Sequence, residues 1–376
     1  MKLLYVMTGI ASKGGLTRIV FDKINCLINQ FDVSVIYFGS GNESPFYKVD
    51  ERVKFYPISG VDAYSSLGKK FVFIFKIIRQ YKLILKETRP DVIINANANL
   101  LSWIIPFIHR RIPKIVELHQ SYDGVKIFNE NAYGKGSIKG KFLLLLRNSI
   151  YPLYNKVVVL TEKDKKLWGY KNVIVIPNFT NIKPFHDLDY SKKNIIWVGR
   201  LSHQKGCDML IDIWKRFHDI NPDWHLILIG DNIAKEGNVK NEIMDFVKEE
   251  KYKNSITHIL DTKYIERYYK EASLFISTSR FEGLPLVLIE AATCSLPIIG
   301  FDITGNDSVV SQNVNGYLVK CYDIDSYVSI MNKYCNDESL RKEMGRESMK
   351  IAECFSKEYI MHLWIELFEE LYSNSK

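Results

Sequence analysis

The 376-residue chain has no run of about 18 apolar residues, the length a helix needs to cross a bilayer, so no membrane-spanning segment is expected. It has no Cys-x-x-Cys pair either. Its six cysteines (Cys26, Cys207, Cys294, Cys321, Cys335, Cys354) are scattered through helix and strand patterns, which indicates neither a zinc site nor a disulfide framework and fits a reducing cytoplasm. No Gly-x-Gly-x-x-Gly follows a candidate strand, which disfavours a nicotinamide-dependent dehydrogenase. Two Asp-x-Asp triplets, Asp187 to Asp189 and Asp323 to Asp325, read better as linker and helix cap than as a metal site. The apolar run Leu3 to Ile10 is too short for a secretion signal and lacks a small-residue cleavage site, so it reads as a first strand.

The chain is too long for one compact core, and its 47% hydrophobic residues are enough to fill two. Short apolar strands alternate with helical patterns from the start: Leu3 to Met7, Val33 to Phe38, Val53 to Ile58, Val92 to Asn95, Lys114 to Leu118, Val157 to Leu160 and Val173 to Ile176. That rhythm predicts an α/β fold with a doubly wound parallel sheet. The polar, aperiodic stretch Thr180 to Lys193 reads as a linker between domains spanning 1–182 and 190–356. The rhythm then restarts with Ile195 to Val198, His225 to Ile229 and Ile256 to Leu260, which predicts a second nucleotide-binding type of domain.

Charge is unevenly divided. Residues 1–180 hold 27 Lys and Arg against 13 Asp and Glu, while residues 181–376 hold 24 against 30. Two segments of the first half, Leu67 to Glu87 and Lys139 to Arg147, read as basic amphipathic helices, compatible with a core-packed helix whose charged face is solvated or with contact to a membrane surface.

Four stretches carry candidate chemistry. Ser277 to Ala292 reads as a strand end, a loop holding Glu282 and a helix starting near Leu284 with Pro285 at its first position; the amides of Gly283 and Leu284 would then face an anion, and Glu290 would lie in the second helical turn. Gly199 to Gly206 places Arg200 and Lys205 in one strand-to-helix loop, an arrangement that suits a diphosphate. Gly14 and Gly15 precede a helix from about Thr17 to Asn29, as a plain tight turn or as a close approach to a ligand. His119 opens a loop, Gln120 to Gly124, at the carboxyl edge of the first sheet.

The spacing Glu282-x7-Glu290 within Glu-Gly-Leu-Pro-Leu-Val-Leu-Ile-Glu-Ala resembles the nucleotide-sugar motif of family 4 glycosyltransferases, retaining enzymes of the GT-B fold, and Gly199-Arg200 followed by Lys205-Gly206 is similar to a second motif of that family. The resemblance implies two Rossmann-like domains facing a central cleft, with the last helix, 357–376, packing back on the first. It implies that Glu282 and His119 lie by the donor sugar, that Gly14, Gly15, Arg200, Lys205, Gly283 and Leu284 face the donor diphosphate, and that Glu290 holds the ribose. The expected reaction moves a sugar, most simply from a UDP-sugar, to an acceptor hydroxyl with retention and without cofactor or metal. The basic first half points to a lipid-linked glycan acceptor of a cell-surface polysaccharide at an anionic membrane surface, and nucleic acid is not an expected partner. Rival readings are a nucleotide-sugar hydrolase or epimerase on the same scaffold and a two-domain sugar-binding protein.

Overall fold

A computed structural model describes residues 1–59, 67–96, 100–231, 239–260, 262 and 264–376. Two compact units result, one made of Met1–Pro177 with Ile360–Lys376, the other of Asn178–Tyr359.

The first unit is built on seven strands: β1 (Lys2–Met7), β2 (Asp32–Phe38), β3 (Lys54–Ile58), β4 (Val92–Asn95), β5 (Lys114–Leu118), β6 (Lys156–Val159) and β7 (Val173–Val175). They pair in parallel in the order β3-β2-β1-β4-β5-β6-β7. A strand covered on both faces has to be apolar along its length, which is why β1 reads as an unbroken run. Leu3 to Met7 are at most 1% exposed, and Leu3 pairs with Val33 on one side and Val92 on the other. Each such aliphatic side chain contributes about 1.5–3 kcal/mol through its burial.

Helices cover the sheet where sequence periodicity places them, with three differences, one of them a short helix at Glu162–Trp168 that no periodicity announces. The first runs over Gly15–Leu27, two residues ahead of the expected span, because Gly14 is already the extended N-cap. A helix at Tyr122–Tyr133 stands where a loop to Gly124 was expected; it is polar on several sides, so no stripe announces it, but Ser121 Oγ caps it by accepting from the Gly124 amide at 3.0 Å. The Leu67–Thr88 helix packs Ile77, Tyr81, Ile84 and Leu85 into the core and leaves Lys76, Arg79, Lys82 and Lys86 exposed. Trp364 and Phe368, from the helix Lys357–Ser373, pack in this unit, Phe368 edge-on to Phe31.

The second unit holds β8 (Asn194–Val198), β9 (His225–Ile229), β10 (Ile256–Ile259), β11 (Leu274–Ser277), β12 (Ile298–Phe301) and β13 (Gly316–Val319), parallel in the order β10-β9-β8-β11-β12-β13. Trp197, Trp214, Phe217 and Tyr327 fill its core among the strand side chains. The stretch 180–193 has no regular structure, yet within this unit it is anchored. Ile182, Leu188 and Tyr190 are buried, Tyr190 donates its hydroxyl to the Ser295 carbonyl at 2.7 Å, and Arg341 donates to the Tyr190 carbonyl at 2.7 Å. All six cysteines are free thiols. Among the described residues no helix is long and apolar enough to cross a membrane.

Candidate active site

In the second sheet, chain order runs outward in both directions from the adjacent pair β8 and β11, so the loops leaving their carboxyl ends open a crevice where open α/β sheets bind ligands. These are the two motif-bearing loops. Strands about 4.8 Å apart force them into contact. Trp197 Nε1 donates to Thr278 Oγ1 at 3.0 Å, Thr278 Oγ1 donates to the Lys205 carbonyl at 2.8 Å, and the Arg280 amide donates to the Gln204 carbonyl at 2.8 Å. Gly206 sits in the left-handed region at φ +65°, and a Cβ there would fall 2.0 Å from the Thr278 carbonyl oxygen. Glycine is what lets the loops close on each other.

The seam between them carries charge. Lys205 Nζ lies 2.5 Å from Glu282 Oε1, with both side chains mostly buried, so the two residues expected on separate duties form an ion pair. Arg280 grips Asp208 with both terminal nitrogens, at 2.8 and 2.5 Å. Burial pushes the Asp208 carboxyl up, and Arg280 more than offsets it, leaving Asp208 below the usual carboxylate range. Arg200 is exposed and donates only to Gln204 Oε1 at 3.3 Å, with no carboxylate partner among the described residues.

The helix expected from Leu284 starts instead at Leu286, with Pro285 as an extended N-cap at ψ 117°. Gly283 and Leu284 therefore lie in the turn before the helix and are not its first-turn donors. Among the described residues their amides meet no acceptor. Gly305, at φ +95°, backs this turn so closely that a Cβ would fall 2.3 Å from the Gly283 carbonyl oxygen. Glu290 is on the helix as expected but is 1% exposed, with Oε2 accepting from the Tyr269 hydroxyl at 2.9 Å. Glu282 and Glu290 thus occupy different surroundings.

In the first unit the strand order reverses between β1 and β4. Gly14 has an ordinary extended backbone, and a Cβ on it would meet only Ser12 Oγ at 3.4 Å. Neither backbone nor packing requires glycine there. Gly15 begins the helix at the surface, and its neighbour Leu16 lines a pocket of about 180 Å³ together with His119, Glu117, Gln120, Arg147 and Trp168. His119 Nε2 is 3.1 Å from Glu117 Oε2, and the same oxygen accepts from Lys23 Nζ at 2.6 Å. Lys23 and Glu117 are each 3% exposed at the side chain, and Lys23 also lies 3.7 Å from the Trp364 ring centroid. Burial pushes Glu117 up, but the attraction of Lys23 and the hydrogen bond from His119 outweigh it and hold the carboxyl below its usual range.

The chain matches the family described as Glycosyltransferase Family 4 over residues 13–183 and that described as Glycosyl transferases group 1 over residues 178–350. It is 30% identical to the amylovoran biosynthesis glycosyltransferase AmsD of Erwinia amylovora, over 97% of this chain and 99% of that one. The chain is a family 4 glycosyltransferase. This glycosyltransferase is also 25% identical to the GalNAc-alpha-(1->4)-GalNAc-alpha-(1->3)-diNAcBac-PP-undecaprenol alpha-1,4-N-acetyl-D-galactosaminyltransferase of Campylobacter jejuni, over 99% of each chain. Its fold is that of GT-B enzymes such as Anabaena HepE, solved in complex with UDP and glucose, with a TM-score of 0.76 at 18% identity over 98% of this chain and 99% of that one.

Lys23, Glu117, Arg280 and Asp208 were not singled out by sequence reasoning. A signal was there for the first pair: Lys23 sits on the apolar face of Ile19, Ile24 and Leu27, and Glu117 interrupts the apolar strand Ile115-Val116-Glu117-Leu118. Two opposite charges in positions that must be buried imply each other.

Proposed function

We propose that this glycosyltransferase moves a hexosyl group from a UDP-sugar, with retention, to a hydroxyl of a lipid-linked glycan in polysaccharide synthesis. The observation that supports the donor half is the meeting of the β8 and β11 loops: one carries Arg200, with no carboxylate partner among the described residues, and Lys205, and the other carries Glu282, paired with Lys205, and the amides of Gly283 and Leu284, which meet no acceptor among the described residues, so both loops hold donors suited to a diphosphate. As the anomeric carbon separates from the diphosphate oxygen, negative charge grows on the leaving group, and donors already in place stabilise it most. Lys205 passes from Glu282 to the diphosphate, which frees the Glu282 carboxylate for the sugar. The acceptor oxygen bonds to the anomeric carbon on the face that the diphosphate leaves, and its proton passes to a donor phosphate oxygen. Glu290 holds the ribose, Gly14 and Gly15 approach the phosphates, and His119 lies by the sugar. The charge available at the crevice takes the place of a divalent metal.

For the acceptor, support comes from the first unit's surface. Ile138, Phe142 and Leu145 are exposed along one side of the Ile138–Ile150 helix beside exposed Lys139 and Lys141, and Phe75 and Leu83 are exposed among the basic residues of the Leu67–Thr88 helix. Such a face suits an anionic bilayer, where each Lys or Arg contributes about 1 kcal/mol. The test is a panel of nucleotide hexoses offered with and without lipid-linked acceptors, with the anomeric configuration of the product read by NMR. Sugar release without transfer to any acceptor would instead indicate a hydrolase, and an inverted product would refute retention.

A further inference from the structure

We propose that Lys23 and Glu117 are positioning residues for His119: the buried pair fixes the imidazole proton on Nε2 and keeps Nδ1 as an acceptor for a substrate hydroxyl; this rests on the transferase reading above. Glu117 stands on β5, two residues before His119, and its Oε2 meets both Lys23 Nζ at 2.6 Å and His119 Nε2 at 3.1 Å. An ionised carboxylate can only accept, so the ring nitrogen that meets it has to carry the proton. Nδ1 is then the lone-pair nitrogen of a neutral ring. It has no partner among the described residues and is not sealed from solvent, and His119 lines the pocket of about 180 Å³.

The ionised state of Glu117 selects the tautomer, and a carboxylate 3% exposed stays ionised only with a partner. Lys23 is that partner. Its ammonium also stands over the rings of Trp364 and Tyr5, with centroids 3.7 and 5.6 Å away. It has a second effect on the ring. A carboxylate alone beside an imidazole draws a further proton onto it, which would cost Nδ1 its lone pair, and an ammonium on the same oxygen opposes that pull. The other titratable groups here are Arg147 and Tyr151, which line the pocket, and Tyr5, whose hydroxyl is pushed up by burial and by Glu117. None of these adds a negative charge. A buried ion pair is often no more stabilising than apolar side chains of the same volume, so its place against His119 has a reason beyond stability.

The ring nitrogens report their own state. The full chain labelled with 15N-histidine holds eight imidazoles, and His119 is assigned by the signals lost in His119→Gln. At neutral pH wild type should show one tautomer, with the proton on Nε2. Lys23→Met leaves the carboxylate unopposed, which favours the charged ring by about tenfold or more. Protons should then appear on both nitrogens, kcat/KM should fall to match at neutral pH, and the acid limb of the pH profile should move to higher pH. Lys23→Met with Glu117→Gln keeps a hydrogen-bonding anchor without either charge, so the ring should be neutral again, with its proton shared between the two nitrogens, and kcat/KM should recover in part. A merely structural pair would move the melting temperature but neither the tautomer nor the acid limb. A wild-type His119 protonated on Nδ1 overturns the proposal, as does a folded Lys23→Met with the wild-type tautomer and pH profile. So does a double variant whose ring keeps the single wild-type tautomer, which holds the test open if Lys23→Met does not fold. The tautomer is read on the free protein, so a wild type that transfers no sugar would remove the transferase reading, and the hydroxyl with it, without touching that result.

Discussion

Replacing Lys23 by Met removes one partner of a buried ion pair and leaves Glu117, 3% exposed, with His119 as its remaining partner. Breaking such a pair from one side typically costs about 3–5 kcal/mol, because the surviving charge stays desolvated. The lost contact of Lys23 with the Trp364 ring adds little, since methionine sulfur also packs well against aromatics. For a unit of this size about 2–4 °C of melting temperature corresponds to each kcal/mol, so the variant should melt about 6–20 °C below wild type. The deficit should depend on pH. The wild-type Glu117 carboxyl is held below its usual value of 4.5, so its ionisation stabilises the fold above that pH, and this contribution is lost as pH falls through the lowered value. In the variant burial acts with less opposition, the carboxyl takes up a proton at higher pH, and the gap to wild type should narrow on acidification. The double variant Lys23→Met with Glu117→Leu removes both charges and should recover most of the stability, yet His119 then loses its anchor and transferase activity should not return. Differential scanning fluorimetry from pH 4 to 8, paired with a transfer assay, tests both halves. A Lys23→Met variant that melts with wild type, or a double variant no more stable than the single one, would refute the coupling.

Arg200→Ala should lower kcat/KM for the donor about tenfold or more, the worth of a charge-assisted contact, and Lys205→Ala should do so and also lower the melting temperature, because Glu282 loses its partner. Equal melting temperatures for both variants would contradict the buried pair. Glu282→Ala should mainly lower kcat and Glu290→Gln mainly raise KM, with wild-type activity unchanged by EDTA; identical kinetic defects, or reversible loss in EDTA, would break that division of roles. Gly206→Ala forces a left-handed alanine, at about 1–2 kcal/mol, and drives a methyl into the Thr278 carbonyl, so donor binding and stability should fall together in calorimetry and melting. Phe142→Ser with Leu145→Ser should weaken sedimentation with anionic liposomes at low salt while leaving the melting temperature near wild type, since both side chains are exposed.

Two parallel sheets, their order of strands and helices, and the loops that carry Arg200, Lys205 and Glu282 are legible in the chain itself, because strands buried on both faces need unbroken apolar runs and ligand loops follow their carboxyl ends. The amphipathic stripe of Leu67 to Thr88 is legible for the same reason, as a periodicity of burial. Helix ends are less so. Pro285 suits either the first helical position or the cap, and the extended backbone at ψ 117° makes it the cap, in a turn that Gly305 packs against and whose Leu284 carbonyl accepts from Asn178 Nδ2 across 106 residues. Long-range partnerships are decided by the tertiary structure. Lys205 and Glu282 lie 77 residues apart and Lys23 and Glu117 lie 94 apart. Composition and spacing state which side chains carry charge, but whether a charge meets solvent, a ligand or an opposite charge depends on which strands become neighbours, and the adjacency of β8 and β11 exists only once the sheet has closed around its core.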